Sequence, residues 1–328
     1  MNLADLTLEL TPFATDEFPK PAPGGRYDLA IIGGGPAGLT AAIYAARKRL
    51  KTLVAAENIG GQMLWTSSVE NYPGFNVVQA RDLVDKFRSQ VRQFPVDVAS
   101  GLQVAAVSAE GPGFRLEGSG GEAFTARSLI VATGKRYRSL GVPGEKELIG
   151  KGVAYCATCD APLFAGKTVA VVGGGNSALT AANELLPYAS KIHLINSSPA
   201  VTGDPVLLEP LKGSGKVDFH MRSKVSEILG KERVEGLAVN SPGGVVRLDV
   251  SGVFVEIGLI PNSGPVKGLV ELNREGEIIV DCSCRTSRPG LFAAGDVTTV
   301  PAKQIVVAAG EGAKAALAAY DWLLANPG

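Results

Sequence analysis

Four cysteines stand in two close pairs, Cys156-Ala157-Thr158-Cys159 and Cys282-Ser283-Cys284. At the C-x-x-C spacing one thiolate can be stabilised by its neighbour and can close a disulfide with it, which is redox chemistry. The competing use is a structural zinc site, with the second pair supplying the missing ligands. The C-x-C spacing is unusual for zinc, and the two histidines, His193 and His220, stand near neither pair in sequence, so no metal is expected there. Asp160 directly follows the dithiol and could give a proton to a leaving thiolate; the plainer reading is an exposed carboxylate at a helix start. Cys282 and Cys284, two apart on an expected strand, should point to one face as small apolar residues.

Two glycine loops offer a second kind of chemistry. In Gly33-Gly34-Gly35-Pro36-Ala37-Gly38 the first glycine suits a tight turn, the second lets backbone approach a pyrophosphate, and the third lets helix and strand pack closely. Phosphates would then meet free N–H groups at the positive end of a helix. Glu57 closes the next strand, where a carboxylate can accept hydrogen bonds from an adenosine ribose. The second loop, Gly173-Gly174-Gly175-Asn176-Ser177-Ala178, has alanine in place of the third glycine, which the motif tolerates. Asn196 answers to Glu57 there, followed by Ser197 and Ser198. Neither the acid of NAD-type sites nor the arginines of 2′-phosphate sites is present. Either Asn196 and the serines bind the ribose through neutral hydrogen bonds, or selective binding of NAD(P)H has been lost.

These loops need strands and helices to hold them. Tyr27 to Ile32 is an apolar run suited to a buried parallel strand, Leu39 to Leu50 reads as a helix, and Thr52 to Ala56 as a second strand. The pattern recurs in Thr168–Val172, Leu179 to Leu186 and Lys191 to Ile195. Two such units imply two dinucleotide-binding domains. Val225 to Val239 and Val245 to Val255 look strand-like, residues 268 to 296 return to short strands, and Lys303 to Leu324 is helical. Residues 1 to 25 are polar and proline-containing and read as an arm. The 328 residues can bury more than one core, and 32 basic against 32 acidic residues leave no footprint of nucleic-acid binding. No apolar stretch reaches the roughly 20 residues of a membrane span, and no signal peptide is apparent, so a cytoplasmic chain is expected.

Together these residues closely resemble the low-molecular-weight thioredoxin reductase family and, within it, the C-terminal flavoprotein portion of the alkyl hydroperoxide reductase F subunit. The landmarks are Gly60-Gly61-Gln62, Glu70-Asn71-Tyr72-Pro73-Gly74, Ala132-Thr133-Gly134, Tyr155 to Asp160, the second glycine loop, Ala293-Ala294-Gly295-Asp296 and Lys303-Gln304-Ile305. The resemblance implies an α/β fold of the class II pyridine nucleotide-disulfide oxidoreductase type, two Rossmann-like domains with the second inserted in the first. Residues 26–142 and 262–328 would form the FAD domain and 143–261 an NAD(P)-binding-like domain carrying the dithiol, with hinges near Val142 to Glu145 and Ile257 to Asn262. FAD would lie on Gly33, Gly35, Pro36, Ala37, Gly38, Glu57, Gly61, Gln62, Asn71, Thr133, Gly134, Gly295, Asp296, Lys303, Gln304 and Ile305. NAD(P)H would use Gly173, Gly175, Asn176, Ser177, Ala178 and Asn196. Cys159 would be the flavin-proximal thiol and Cys156 the interchange thiol that attacks the disulfide of thioredoxin or a similar dithiol protein, or serves a peroxiredoxin system. A homodimer is implied as well.

The chain departs from that pattern at the second loop. NADPH-using members carry histidine and arginines where Asn196-Ser197-Ser198 stand, and the hydroperoxide-reductase relatives carry an acid, so ferredoxin stays open as electron donor. Those relatives also have an N-terminal thioredoxin-like domain, which the 25-residue arm is expected not to be.

Overall fold

The structure, a computed structural model, describes residues 18–22, 24–66 and 68–327. Most of the expected arm, residues 1–17 and Pro23, lies outside the described residues. Its far end is held to the body: the Pro19 carbonyl accepts from Val98 N at 2.9 Å, and the Arg92 guanidinium covers the Phe18 ring.

The chain opens with β1 (Arg26–Gly34), α1 (Pro36–Arg47) and β2 (Thr52–Ile59), then a small hairpin, β3 (Ser68–Val69) and β4 (Val78–Gln79). Next come α2 (Ala80–Val91), β5 (Val96–Ser100), β6 (Val104–Glu110), β7 (Gly113–Gly118), β8 (Ala123–Val131) and β9 (Lys135–Tyr137). The middle of the chain holds β10 (Val153–Ala154), α3 (Ala157–Asp160), β11 (Thr168–Val172), α4 (Asn176–Leu185), β12 (Lys191–Ile195), α5 (Pro205–Gly213) and β13 (Val217–His220). It continues with β14 (Lys224–Leu229), β15 (Gly236–Ser241), β16 (Gly244–Leu248), β17 (Gly252–Val255) and β18 (Leu259–Pro261), and the chain ends on β19 (Leu291–Ala293) and α6 (Ile305–Ala325).

Among the described residues two compact units result, one running up to residue 64 with residues 80–135 and those from 261 on, and one of residues 65–79 and 136–260. The second is thus inserted in the first, at joints that differ from the expected ones. Residues 136–142 fall in the second unit because β9 pairs with β18 and the N–H groups of Leu140 and Gly141 both donate to Glu145 at 2.8 Å. Residues 65–79 join it too, where the Thr66 hydroxyl donates to Asp160 at 3.0 Å.

In the first unit the sheet runs β5-β2-β1-β8-β7-β6, with β19 on β8. The pairs β1/β2, β1/β8, β2/β5 and β8/β19 are parallel, and β6-β7-β8 is an antiparallel meander. Leu29, Ala30 and Ile31 are all buried, as strands covered on both faces must be. In α6, Ala308, Gly312, Ala315 and Ala319 recur at helical spacing, and a Cβ on Gly312 would stand 2.0 Å from the Ala37 carbonyl. That small-residue stripe lets α6 lie directly against α1.

In the second unit a parallel sheet, β10-β17-β11-β12-β13, sits with an antiparallel β14-β15-β16 sheet. The expected strand Val225 to Val239 is a hairpin. The expected strand Val245 to Val255 is two: β16 belongs to the antiparallel sheet and β17 pairs with β11 and β10. Phe254 on β17 is fully buried and meets Phe164 edge-on at 5.1 Å, so Phe254→Ala would cost about 3–5 kcal/mol.

Candidate functional site

The dithiol lies at the start of α3. Cys156 and Cys159 form a disulfide with Cα atoms 5.3 Å apart. Cys156 is the extended N-cap residue, and its sulfur accepts from the N–H of Cys159 at 3.2 Å. That N–H is placed to meet a thiolate on Cys156 once the disulfide is reduced. The preceding strand is anchored from below: Tyr155 OH donates to buried Glu145 at 2.9 Å and its ring stacks on Tyr137 at 4.7 Å. Asp160 is buried rather than an exposed helix-start residue, and burial pushes its carboxyl up to about 6, with the Thr66 hydrogen bond opposing. A carboxyl near 6 can take up and release a proton close to neutral pH.

The first glycine loop connects β1 to α1. Gly33 has φ +117°, and a Cβ there would lie 2.2 Å from the Ala132 carbonyl, so only glycine makes the turn. Gly35 caps α1 with no side-chain hydrogen bond, Pro36 and Ala37 open the helix, and Gly61 brings its backbone against Gly35. The outcome is a groove of bare backbone at a helix N-terminus, which fits a pyrophosphate. Glu57 is exposed near the end of β2. Gln62 donates through Nε2 to the Lys135 carbonyl, beside Gly134.

Thr133, by contrast, spends its hydroxyl on the Asn262 carbonyl at 2.9 Å, and Asn262 returns an N–H to the Thr133 carbonyl at 3.0 Å. Gly295 packs against Ala37 of the first loop. Asp296 is held above the usual carboxylate range by burial, against the pull of Lys303 and Lys135. Gln304 and Ile305 open α6. Asn71, expected near the flavin, belongs to the second unit, in the loop between β3 and β4.

Several polar groups of this unit carry no motif. Glu277 takes Lys135 at 2.5 Å and Lys303 at 3.4 Å, and Lys303 also donates to the Thr298 carbonyl. Glu311 of α6 is buried and accepts from Gly295 N at 2.7 Å, fixing the turn that carries Asp296. The Glu277 and Glu311 partnerships join separate segments, and their only sequence hint is that the partners Lys135, Lys303 and Gly295 stand in or beside named motifs.

The second loop repeats the turn: Gly173 has φ +145°, and a Cβ there would lie 2.2 Å from the Glu256 carbonyl. Gly175 caps α4, and Asn176, Ser177 and Ala178 form its first turn. Residues 202–204 fold back onto the loop. Thr202 N donates to the Gly174 carbonyl at 2.7 Å, and Asn176 and Asp204 exchange two hydrogen bonds of 2.9 and 2.8 Å. Asn196 is buried beneath Gly174; its amide donates to the Ala200 carbonyl at 2.8 Å and its oxygen accepts from Ser198 N at 3.3 Å. Further along α4, Glu184 accepts from Thr158 of the dithiol motif at 2.9 Å, which ties the loop's helix to α3. Burial, with Glu184 nearby, pushes the Glu256 carboxyl up to about 8.

The second cysteine pair corrects an expectation. Cys282 and Cys284 lie in a turn, not a strand: Cys284 has φ +62°, and Asp281 Oδ1 accepts from both Ser283 N and Arg285 N. Cys282 is exposed and Cys284 buried, and burial pushes the Cys284 thiol up to about 11, which makes it inert.

The family described as pyridine nucleotide-disulphide oxidoreductase matches residues 27–312. The alkyl hydroperoxide reductase F subunit of Pseudomonas putida is 46% identical over 303 residues, covering 91% of this chain and 58% of its own length. Its counterpart in Escherichia coli K12 is 44% identical over 306 residues with the same two coverages. The chain therefore spans somewhat over half the length of these curated relatives. Among solved structures, thioredoxin reductase from Streptococcus pyogenes superposes with a TM-score of 0.87 at 36% identity, over 92% of this chain and 99% of that one. Among the described residues no helix is long and apolar enough to cross a membrane.

Proposed function

The chain belongs to the pyridine nucleotide-disulphide oxidoreductase family, as a flavoprotein disulfide oxidoreductase with FAD and NAD(P)H as cofactors, and from that we propose that it reduces a small dithiol protein of the thioredoxin kind. The observation that carries this reading is the Cys156–Cys159 disulfide, followed directly in the chain by buried Asp160, whose carboxyl burial pushes up to about 6. FAD, when bound, relays two electrons from a nicotinamide to a disulfide. On this reading Gly33, Gly35 and Gly61 present backbone to its pyrophosphate, and Glu57 accepts from its ribose.

Once the disulfide is open, the Cys156 thiolate, held by the Cys159 N–H, attacks a sulfur of the partner's disulfide. The leaving partner thiolate takes a proton, for which Asp160 is the nearby source. Cys159 then attacks Cys156 Sγ, releases the second partner thiol and restores the internal disulfide. A second reading is favoured by the higher identity to the hydroperoxide reductase F subunits: the same dithiol would serve a peroxidase through such a carrier or directly. The Cys156→Ser variant is expected to purify with FAD yet lose reduction of thioredoxin and of a peroxiredoxin alike. Retained turnover with either would place the exchange chemistry elsewhere.

A further inference from the structure

Away from the loops and the dithiol, the edge of the second unit's parallel sheet gathers nitrogen and oxygen donors. β12 and β13 pair in parallel with His193 opposite Asp218 and Ile195 opposite His220. Strand alternation therefore puts Lys191, His193, Asp218 and His220 on one face. His193 Nδ1 stands 3.0 Å from His220 Nε2 and 3.6 Å from Asp218 Oδ2, and the three donor atoms all fall within 4.8 Å of one another. His193 is buried, His220 half-buried and Asp218 exposed, so the cluster has a wall and a mouth.

Two ligands bound to one zinc at about 2.1 Å in tetrahedral geometry lie about 3.4 Å apart, and the spacings here bracket that value. We propose that His193, His220 and Asp218 bind one divalent transition-metal cation of the zinc type, with water completing its coordination. Two imidazoles and a carboxylate are a donor set for borderline cations, not for calcium or magnesium. In the cation-free protein one proton bridges the two facing ring nitrogens. On loading, that proton moves to the other nitrogen of its own ring, each neutral ring keeps one proton, and the two freed lone pairs bind the metal.

Lys191 is the built-in competitor, with Nζ 2.7 Å from Asp218 Oδ2. Its side chain is half exposed and can swing away, or the cation can take the other carboxylate oxygen. Occupancy would lock the end of β13 onto β12. The His220 carbonyl there accepts from Asn196 N at 2.9 Å, so the cation would stiffen the support of the residue at the nucleotide-selecting position.

The test is calorimetric titration of the full-length oxidised flavoprotein with Zn²⁺. Cys282→Ser removes the exposed thiol, the closed disulfide withholds Cys156 and Cys159, and Cys284 is buried. One Zn²⁺ per chain is expected, with His220→Gln weakening binding by at least about tenfold and Lys191→Met tightening it several-fold. Absence of stoichiometric uptake at about 100 μM, or uptake unchanged in folded His220→Gln, would overturn the site. Should that variant fail to fold, Co²⁺ added to the Cys282→Ser protein decides: visible bands beyond the flavin absorption are expected, and their absence counts against the assignment.

Discussion

At the first glycine loop the acid near the end of the second strand, Glu57, is exposed, whereas at the second the residue answering to it, Asn196, is buried under Gly174 with its amide already hydrogen-bonded. The turns themselves match: Gly33 and Gly173 both have positive φ and both stand too close to a neighbouring carbonyl for any side chain. Phosphate-binding geometry depends on backbone and therefore repeats. Cofactor choice depends on one or two side chains at a strand end, and it does not repeat. On our reading one loop is complete for FAD, and the other holds a nicotinamide cofactor without a charged selector.

The comparison breaks most visibly by spoiling each turn separately. Gly33→Val should yield a colourless protein, whereas Gly173→Val should stay yellow and lose flavin reduction by NADH and NADPH while dithionite still reduces it. Loss of FAD from Gly173→Val as well would show that the loops are not separate sites.

A smaller effect tests the missing selector. Arginines at Ser197 and Ser198 should improve NADPH binding by about tenfold through charge-assisted contacts to the 2′-phosphate, measured by flavin bleaching. Asn196→Asp should instead favour NADH. An unaltered preference in both would place selection elsewhere.

The smallest effect concerns Asp160. Its carboxyl is raised from 3.8 to about 6, so the protonated fraction falls as pH rises through 6, and the thiol-exchange rate should fall with it. Asp160→Asn should flatten that limb and, with the carboxyl already mostly ionised at neutral pH, slow exchange there only several-fold. The stability sign agrees: the folded state holds this proton more tightly than the unfolded one, so the stability it contributes is lost between about pH 4 and 6.

What the sequence made legible was local. Runs such as Leu29 to Ile32 and Thr168 to Val172 encode buried strands by themselves, and glycine loops and C-x-x-C motifs are contiguous. The hairpin of β14 and β15 and the division between β16 and β17 were not legible, because a Val-rich stretch does not reveal which sheet it joins. Asp281 turned Cys282 and Cys284 out of a strand through two hydrogen bonds that spacing alone does not announce. Glu277 and Glu311 act across long separations. His193 and His220 meet because two parallel strands share a register, although 27 residues separate them.

The central claim is that this chain stores electrons in two places, a flavin and the Cys156–Cys159 dithiol. Anaerobic reductive titration measures this directly. The account predicts an uptake of four electrons per chain, two for each centre, falling to two in Cys156→Ser. Two electrons in the unaltered protein would mean that the disulfide takes no part, and would contradict it.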